Sequence, residues 1–156
     1  MAEPLTSYPW TDTYELGHAR MDDTHREFVD FIDTLLHAGD QEFPALLARF
    51  AAHTQQHFDQ ESAWMRETDF PPAPCHELEH QRVLEAVRVV GERVAGGDLA
   101  LGRQLVVALA EWFPVHAASM DGALAGWLLR HAEARDAGGC CAPAPAREQD
   151  AQSTAA

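Results

Sequence analysis

The sequence contains no lysine, so all 11 of its permanently positive side chains are arginines, set against 25 aspartates and glutamates. The formal net charge is −14 at neutral pH. Nucleic acid and anionic membrane surfaces both call for basic patches, so neither is expected as a partner. A surplus of carboxylates suits a protein that holds cations. Cysteine is scarce: Cys75, Cys140 and Cys141 form an odd set without framework spacing, which argues against a disulfide scaffold. There is no run of about 18 apolar residues, so no membrane span is expected. The start, MAEPLTSYPW, lacks the basic segment and apolar run of a secretory signal, and a cytoplasmic protein is expected. Strand-like alternation is missing over any useful length. At 156 residues and 46% hydrophobic content, the chain suits one domain with a real core.

Histidine, by contrast, is plentiful, with nine in the chain. Their placement follows from the helical pattern. Residues 1–21 read as an extended arm containing Pro4, Pro9 and Gly17. A first helix is predicted over about 22–38, with Gly39 as its C′ stop. A second runs over about 41–67, ending before FPPAP. A third starts near Pro74 and stops at Gly96-Gly97. A fourth is capped by Asp98 and runs to about His116, and a further helical piece over 121–134 continues it after an interruption. Short connections make consecutive helices antiparallel neighbours. The expected fold is all-α: an up-down-up-down antiparallel four-helix bundle with an N-terminal arm and a short C-terminal helical extension. Residues 1–137 would form this domain, and 138–156, rich in Ala, Pro and Gly, a disordered tail.

The apolar stripe of each helix runs into histidine at one end. In the first, Phe28, Ile32 and Leu35/Leu36 extend back to His25. In the second, Phe43, Leu46/Leu47, Phe50 and either His53 or Thr54 lead to His57, Glu61 and Trp64. In the third, His76 and His80 precede Val83/Leu84, Val87 and Val94. In the fourth, Leu101, Leu105, Leu109 and Trp112 lead to His116. In an antiparallel bundle these places fall at the same end of the core. Buried histidines and carboxylates cost several kcal/mol unless paired or bound to metal, so one metal-binding layer is expected.

The spacings agree with that expectation. Four helical residues advance about 400°, so His57 and Glu61 share a face, as do His76 and His80. His116 and Asp121 are five apart, about 140° off-face in a regular helix. They can converge only if the helix bends or ends there, and Pro114 offers a cause.

Taken together, these motifs resemble the hemerythrin family, and its bacterial members in particular. MDDTHREF resembles the family's first-histidine motif, HFDQESAWM its HFxxE motif, FPPAPCHELEH its proline-containing loop with HxxxH, and WFPVHAASMD its tryptophan-led HxxxxD. Trp10 and Gly17 match its N-terminal arm. The resemblance covers residues 10 to about 134. It implies a non-haem centre of two iron ions joined by an oxo or hydroxo bridge. His76, His80 and His116 would bind one iron, His25 and His57 the other, and Glu61 and Asp121 would bridge them. One coordination position would stay open, on the iron with two histidines. O₂ is the implied ligand, and NO, H₂O₂ or small anions such as azide could use the same position. The implied pocket lining is Phe28, Phe58, Trp112, Phe113 and Ala117.

A reversible O₂ carrier, store or sensor, not an enzyme, is therefore expected. The alternative is a di-iron peroxidase or nitric oxide-handling enzyme. Imidazole suits iron, and a centre with only two carboxylates stabilises high-valent iron less than the four-Glu, two-His enzymes do. A monomer is expected; the sequence identifies no particular protein partner, and the Cys140-Cys141 tail is the only local hint of an interaction module. Two departures bear on the pocket: Ala117 replaces the bulky aliphatic usual after the fourth-helix histidine, predicting a larger pocket and faster autoxidation, and Pro114 is unusual there. His18 replaces a commonly aliphatic arm residue and is expected to be structural or exposed. His37 and His131 suit helix C-termini, and His53 reads as a satisfied buried or surface residue. Cys75 is expected to be buried or half-buried, and Trp64 and Met65 to be core.

Overall fold

The computed structural model describes residues 5–138. The arm makes one short 3₁₀ turn, Asp12–Tyr14, and leads into α1, Ala19–His37. Then follow α2, Phe43–Glu67, α3, Ala73–Ala95, and α4, Leu99–His116. A π-turn, Ala117–Asp121, joins α4 to α5, Gly122–Gly138, so the two run on as one rod. No strand occurs among the described residues. Helix α1 packs on α2 and α4, and α3 packs on the same two, which closes the expected four-helix ring. The remainder of the predicted tail, with Cys140 and Cys141, lies outside the described residues.

Local chemistry sets the helix ends. Helix α1 begins three residues before the predicted start because His18 caps it: its Nδ1 accepts from the Met21 N–H at 3.3 Å. Its ring also meets Trp64 edge-on, so His18 is structural, as expected. Asp22 then reaches back, accepting from the N–H groups of Leu16 and Gly17 at 2.8 and 3.0 Å, which pins the arm to α1. Gly39 stands at C′ as expected, one residue past an extended Ala38 cap, but without the left-handed conformation, which among the described residues falls at Gly17, Asp69 and Gly97. Gly39 also opens α2, its carbonyl accepting from the N–H groups of Glu42 and Phe43. Asp98 caps α4 as predicted, accepting from Leu101.

The inward faces resolve the alternatives left by the stripes. Thr54 and not His53, and Val83 and not Leu84, are the buried members, and of Trp64 and Met65, both expected in the core, Met65 is the fully buried one. Trp64 is half-buried and packs on the smaller core described next. Gly102 lets α4 approach closely at the far end; a Cβ there would stand 2.6 Å from both Phe43 and Val94.

The apolar interior falls into two clusters. The larger runs from Phe28 and Phe113 down to Val94 and Phe43. The smaller gathers Met21, Met65, Phe70, Leu124, Ala125 and Leu128. Trp127 fastens α5 over this second cluster, its indole N–H donating to Thr68 at the end of α2. Between the two clusters, in chain order on every helix, lies the polar layer.

Candidate metal centre

All seven residues singled out as metal-ligating come together in that layer, and each is 5% exposed or less. Helix α1 contributes His25 from its second turn, α2 contributes His57 and Glu61, α3 His76 and His80, and α4 with the π-turn contributes His116 and Asp121. Regular helix geometry explains the i,i+4 pairs. The fifth-residue spacing has a different cause from the one expected. Pro114 does not bring Asp121 round; the π-turn does. The Gly122 N–H donates to the Ala117 carbonyl, five residues back. A turn of that width stacks residues five apart as an α-turn stacks those four apart. The His116 Nε2 and Asp121 Oδ1 accordingly lie 3.1 Å apart.

The seven side chains form two groups that share their carboxylates. The Nε2 atoms of His76 and His80 stand 3.2 and 3.0 Å from that of His116. On the other side are His25 and His57, with ring centroids 5.1 Å apart. Glu61 directs Oε1 to His57 at 2.8 Å and Oε2 to His76 and His80, both at 3.4 Å. Asp121 directs Oδ1 to His76 at 3.0 Å and Oδ2 to His25 at 3.2 Å. Each carboxylate thus gives one oxygen to each group. Donor atoms of Glu61, His76, His80, His116 and Asp121 all lie within 4.8 Å of one another, and those of His25, His57 and Glu61 do likewise.

This arrangement is poor as a hydrogen-bond network and good as a cation cradle. Five imidazoles and two carboxylates are shut away from solvent, yet the His25 Nε2, Glu61 Oε2 and Asp121 Oδ1 have no hydrogen-bond partner. Three Nε2 lone-pair positions face one another. A cation in each group satisfies all of these atoms, and the donor set suits transition metals.

The electrostatics of the cluster is correspondingly strained. Burial opposes charge on His25 and His76, but the Asp121 and Glu61 carboxylates outweigh it and raise both to about 9. Burial pushes His80 down to about 3, with the neighbouring His76 and His116 adding to the effect. Burial and the Asp121 charge push Glu61 up, yet the His57 and His25 imidazoles hold it below the usual carboxylate range. Burial likewise opposes ionisation of Asp121, and His116, His25 and His76 win there too.

Aromatic rings seal the layer. Phe58 lies flat on His80 at 3.7 Å between centroids, and Trp112 stacks on His116 at 4.3 Å. Phe113 meets His25 edge-on and stacks on Phe28. Ala117 is buried beside them in sequence, on the first residue of the π-turn. The Trp112 indole N–H donates to Glu79 at 3.0 Å. On the His57 side, a polar cleft of about 220 Å³ between α1 and α2 is lined by Arg20, Glu27 and His53 among others. His53 is half-buried there, its Nδ1 3.4 Å from Glu27. Cys75 is exposed, not buried or half-buried. One residue along a helix turns about 100°, so a neighbour of the inward His76 faces out.

The fold and this cluster define a histidine-rich, cation-binding four-helix bundle. The family model for the hemerythrin HHE cation binding domain matches residues 16–133. The chain belongs to the hemerythrin family. It is similar to a bacteriohemerythrin of Ralstonia nicotianae, with 42% identity over 78% of this chain and 88% of that protein. It is also similar to a hemerythrin subunit of Sipunculus nudus, with 23% identity over 73% of this chain and 87% of that one.

Proposed function

We propose that this chain carries a di-iron centre and binds O₂ reversibly, as a carrier, store or sensor. The observation that supports this best is the division of each carboxylate between the two histidine groups. His76, His80 and His116 would hold one iron, and His25 and His57 the other. Glu61 and Asp121 would join the two. Bound iron supplies the redox and O₂-binding chemistry. The protein's own contribution is geometric and dielectric. Its second group offers one histidine fewer, which leaves the open side there. Phe28 and Phe113 cover that side around His25, and Phe58, Trp112 and Ala117 complete the expected lining of the O₂ pocket. These apolar walls keep water from the centre and slow the loss of reduced oxygen species.

Two carboxylates for two metals leave the centre more cationic than a four-carboxylate site, which favours reversible binding over oxygen activation. Iron analysis with stopped-flow O₂ binding tests the reading. Two irons per chain and charge-transfer bands that vanish on deoxygenation are expected. Irreversible conversion to the diferric form within seconds would exclude carriage. The enzymatic alternative, peroxidase or nitric oxide turnover at the same open position, draws on the small Ala117 side chain. Steady-state consumption of H₂O₂ or NO with a reductant is its signature, and stoichiometric bleaching alone rules it out.

A further inference from the structure

Pro114 lies inside α4, one turn beyond Ala110. A proline there has no N–H, so the Ala110 carbonyl loses the donor that any other residue would supply. Ala110 is buried, 4% exposed, so bulk water is no substitute. The N-terminal arm supplies the missing donor. The Tyr8 hydroxyl donates to the Ala110 carbonyl at 2.9 Å, across 102 residues of sequence.

Tyr8 is well placed to hold that bond. Its backbone N–H donates to Asp33 on α1 at 2.7 Å, and its side chain is buried. Burial, reinforced by Tyr14, raises its ionisation far above the ordinary phenol value, so it remains a donor. Its ring contacts lead to the polar layer: Tyr8 stacks with Tyr14, Tyr14 meets Phe113 edge-on, and Phe113 meets His25. The segment it steadies also delivers ligating side chains. His116 is two residues past Pro114, and Asp121 follows at the end of the π-turn.

We infer that Tyr8 is a positioning residue of the metal centre: its hydroxyl replaces the hydrogen bond that Pro114 removes, and so fixes the end of α4 from which His116 and Asp121 reach the cluster. The arm contributes no ligand, yet becomes part of the site. The metal readout of this inference rests on the di-iron reading; its hydrogen-bond readout does not.

A double-mutant cycle on the full chain separates the two. Tyr8→Phe, Pro114→Ala and the pair are compared in three measurements. These are thermal unfolding of the metal-free protein, the Kd for cobalt(II), and the visible spectrum of the cobalt-loaded form. With Pro114 present, Tyr8→Phe orphans the Ala110 carbonyl. It lowers the unfolding midpoint by roughly 5 °C, raises the cobalt Kd several-fold and shifts the cobalt bands. In the Pro114→Ala background, the new N–H takes the carbonyl, and Tyr8→Phe has less than half of each effect. Pro114→Leu repeats the test should the alanine variant fold poorly. Equal effects of Tyr8→Phe in both backgrounds overturn the inference. So does a cobalt spectrum and Kd left unmoved by Tyr8→Phe beside Pro114. Failure of the unsubstituted chain to bind cobalt would sink the metal reading, and the thermal cycle would still decide whether Tyr8 replaces the lost donor.

Discussion

Asp121 stands five residues after His116, yet its Oδ1 lies 3.1 Å from the His116 Nε2, because the intervening turn is wound with i→i+5 hydrogen bonds. A π-turn is one residue inserted into an α-helix with its flanks kept in register. Two changes should therefore act in opposite directions. Deleting the exposed Ser119 returns the turn to α spacing and leaves the aspartate on the histidine's face, so iron binding is retained. Exchanging Met120 and Asp121 in the full-length turn creates an HxxxD sequence but sends the carboxylate off-face, so iron per chain falls. A folded Ser119 deletion that binds no iron would contradict this account.

The same turn shows where the sequence could be read and where it could not. His57 with Glu61, and His76 with His80, follow from a regular helix, so their convergence is legible from spacing alone. The His116–Asp121 pair needs a local change of hydrogen-bond register, which no residue type announces. Pro114 is the visible irregularity and draws the explanation to itself. The π-turn lies downstream of it, and the freed Ala110 carbonyl is taken by a tyrosine 102 residues away. Long-range partners of that kind have no periodicity to betray them. Choices between adjacent residues, Thr54 or His53 and Val83 or Leu84, stay open in the sequence because a wide apolar stripe tolerates a rotation of one residue. Cys75 is misplaced for a related reason: its link to the buried His76 says nothing of its own direction.

Loading the centre should release protons. His25 and His76 are raised to about 9 in the metal-free protein and are charged at pH 7. A metal needs their lone pairs. About two protons, one from each histidine group, should therefore leave per loaded chain at pH 7, and the apparent Kd of each metal should fall by up to about tenfold per pH unit until about pH 9. The metal-free fold responds with the opposite sign. A histidine raised above its unfolded value of about 6.5 adds stability that is full below that value and lost as pH rises through about 9. Metal-free protein should melt lower at pH 9.5 than at pH 7. A pH-independent cobalt titration, with no acidification of a weakly buffered indicator dye, would refute the assignment of these charges.

Ala117 offers a direct test of the pocket. It is 1% exposed, so a larger side chain must go inward or displace its neighbours. Ala117→Leu should narrow the space around the open position and slow autoxidation of the oxygenated form several-fold. Overpacking would add a stability cost of about 1–3 kcal/mol. Decay of the oxygenated spectrum in air and thermal melting together separate the two effects. Unchanged or faster autoxidation in a stable variant would mean that the existing aromatic rings already close the pocket.

Asp69 sets a limit on stability that has nothing to do with the metal. It follows α2 in the left-handed region, with φ +51°, where a Cβ is unfavourable. The backbone there is held in place: the Phe70 N–H donates to the Met65 carbonyl at 2.9 Å, and both side chains are buried in the smaller core. The conformation is thus imposed by packing and borne as strain by Asp69, whose own side chain is exposed. Asp69→Gly relieves that strain at the cost of a more flexible unfolded chain, for a net gain of about 0.5–1 kcal/mol. This corresponds to roughly 2–4 °C in the unfolding midpoint. Asp69→Val, with a β-branched side chain at the same φ, should lose at least as much. Neither change touches the seven clustered residues, so iron content should stay constant while the melting temperature moves in both directions. A glycine variant that melts below the parent would show that Asp69 makes a contact worth more than the strain it bears.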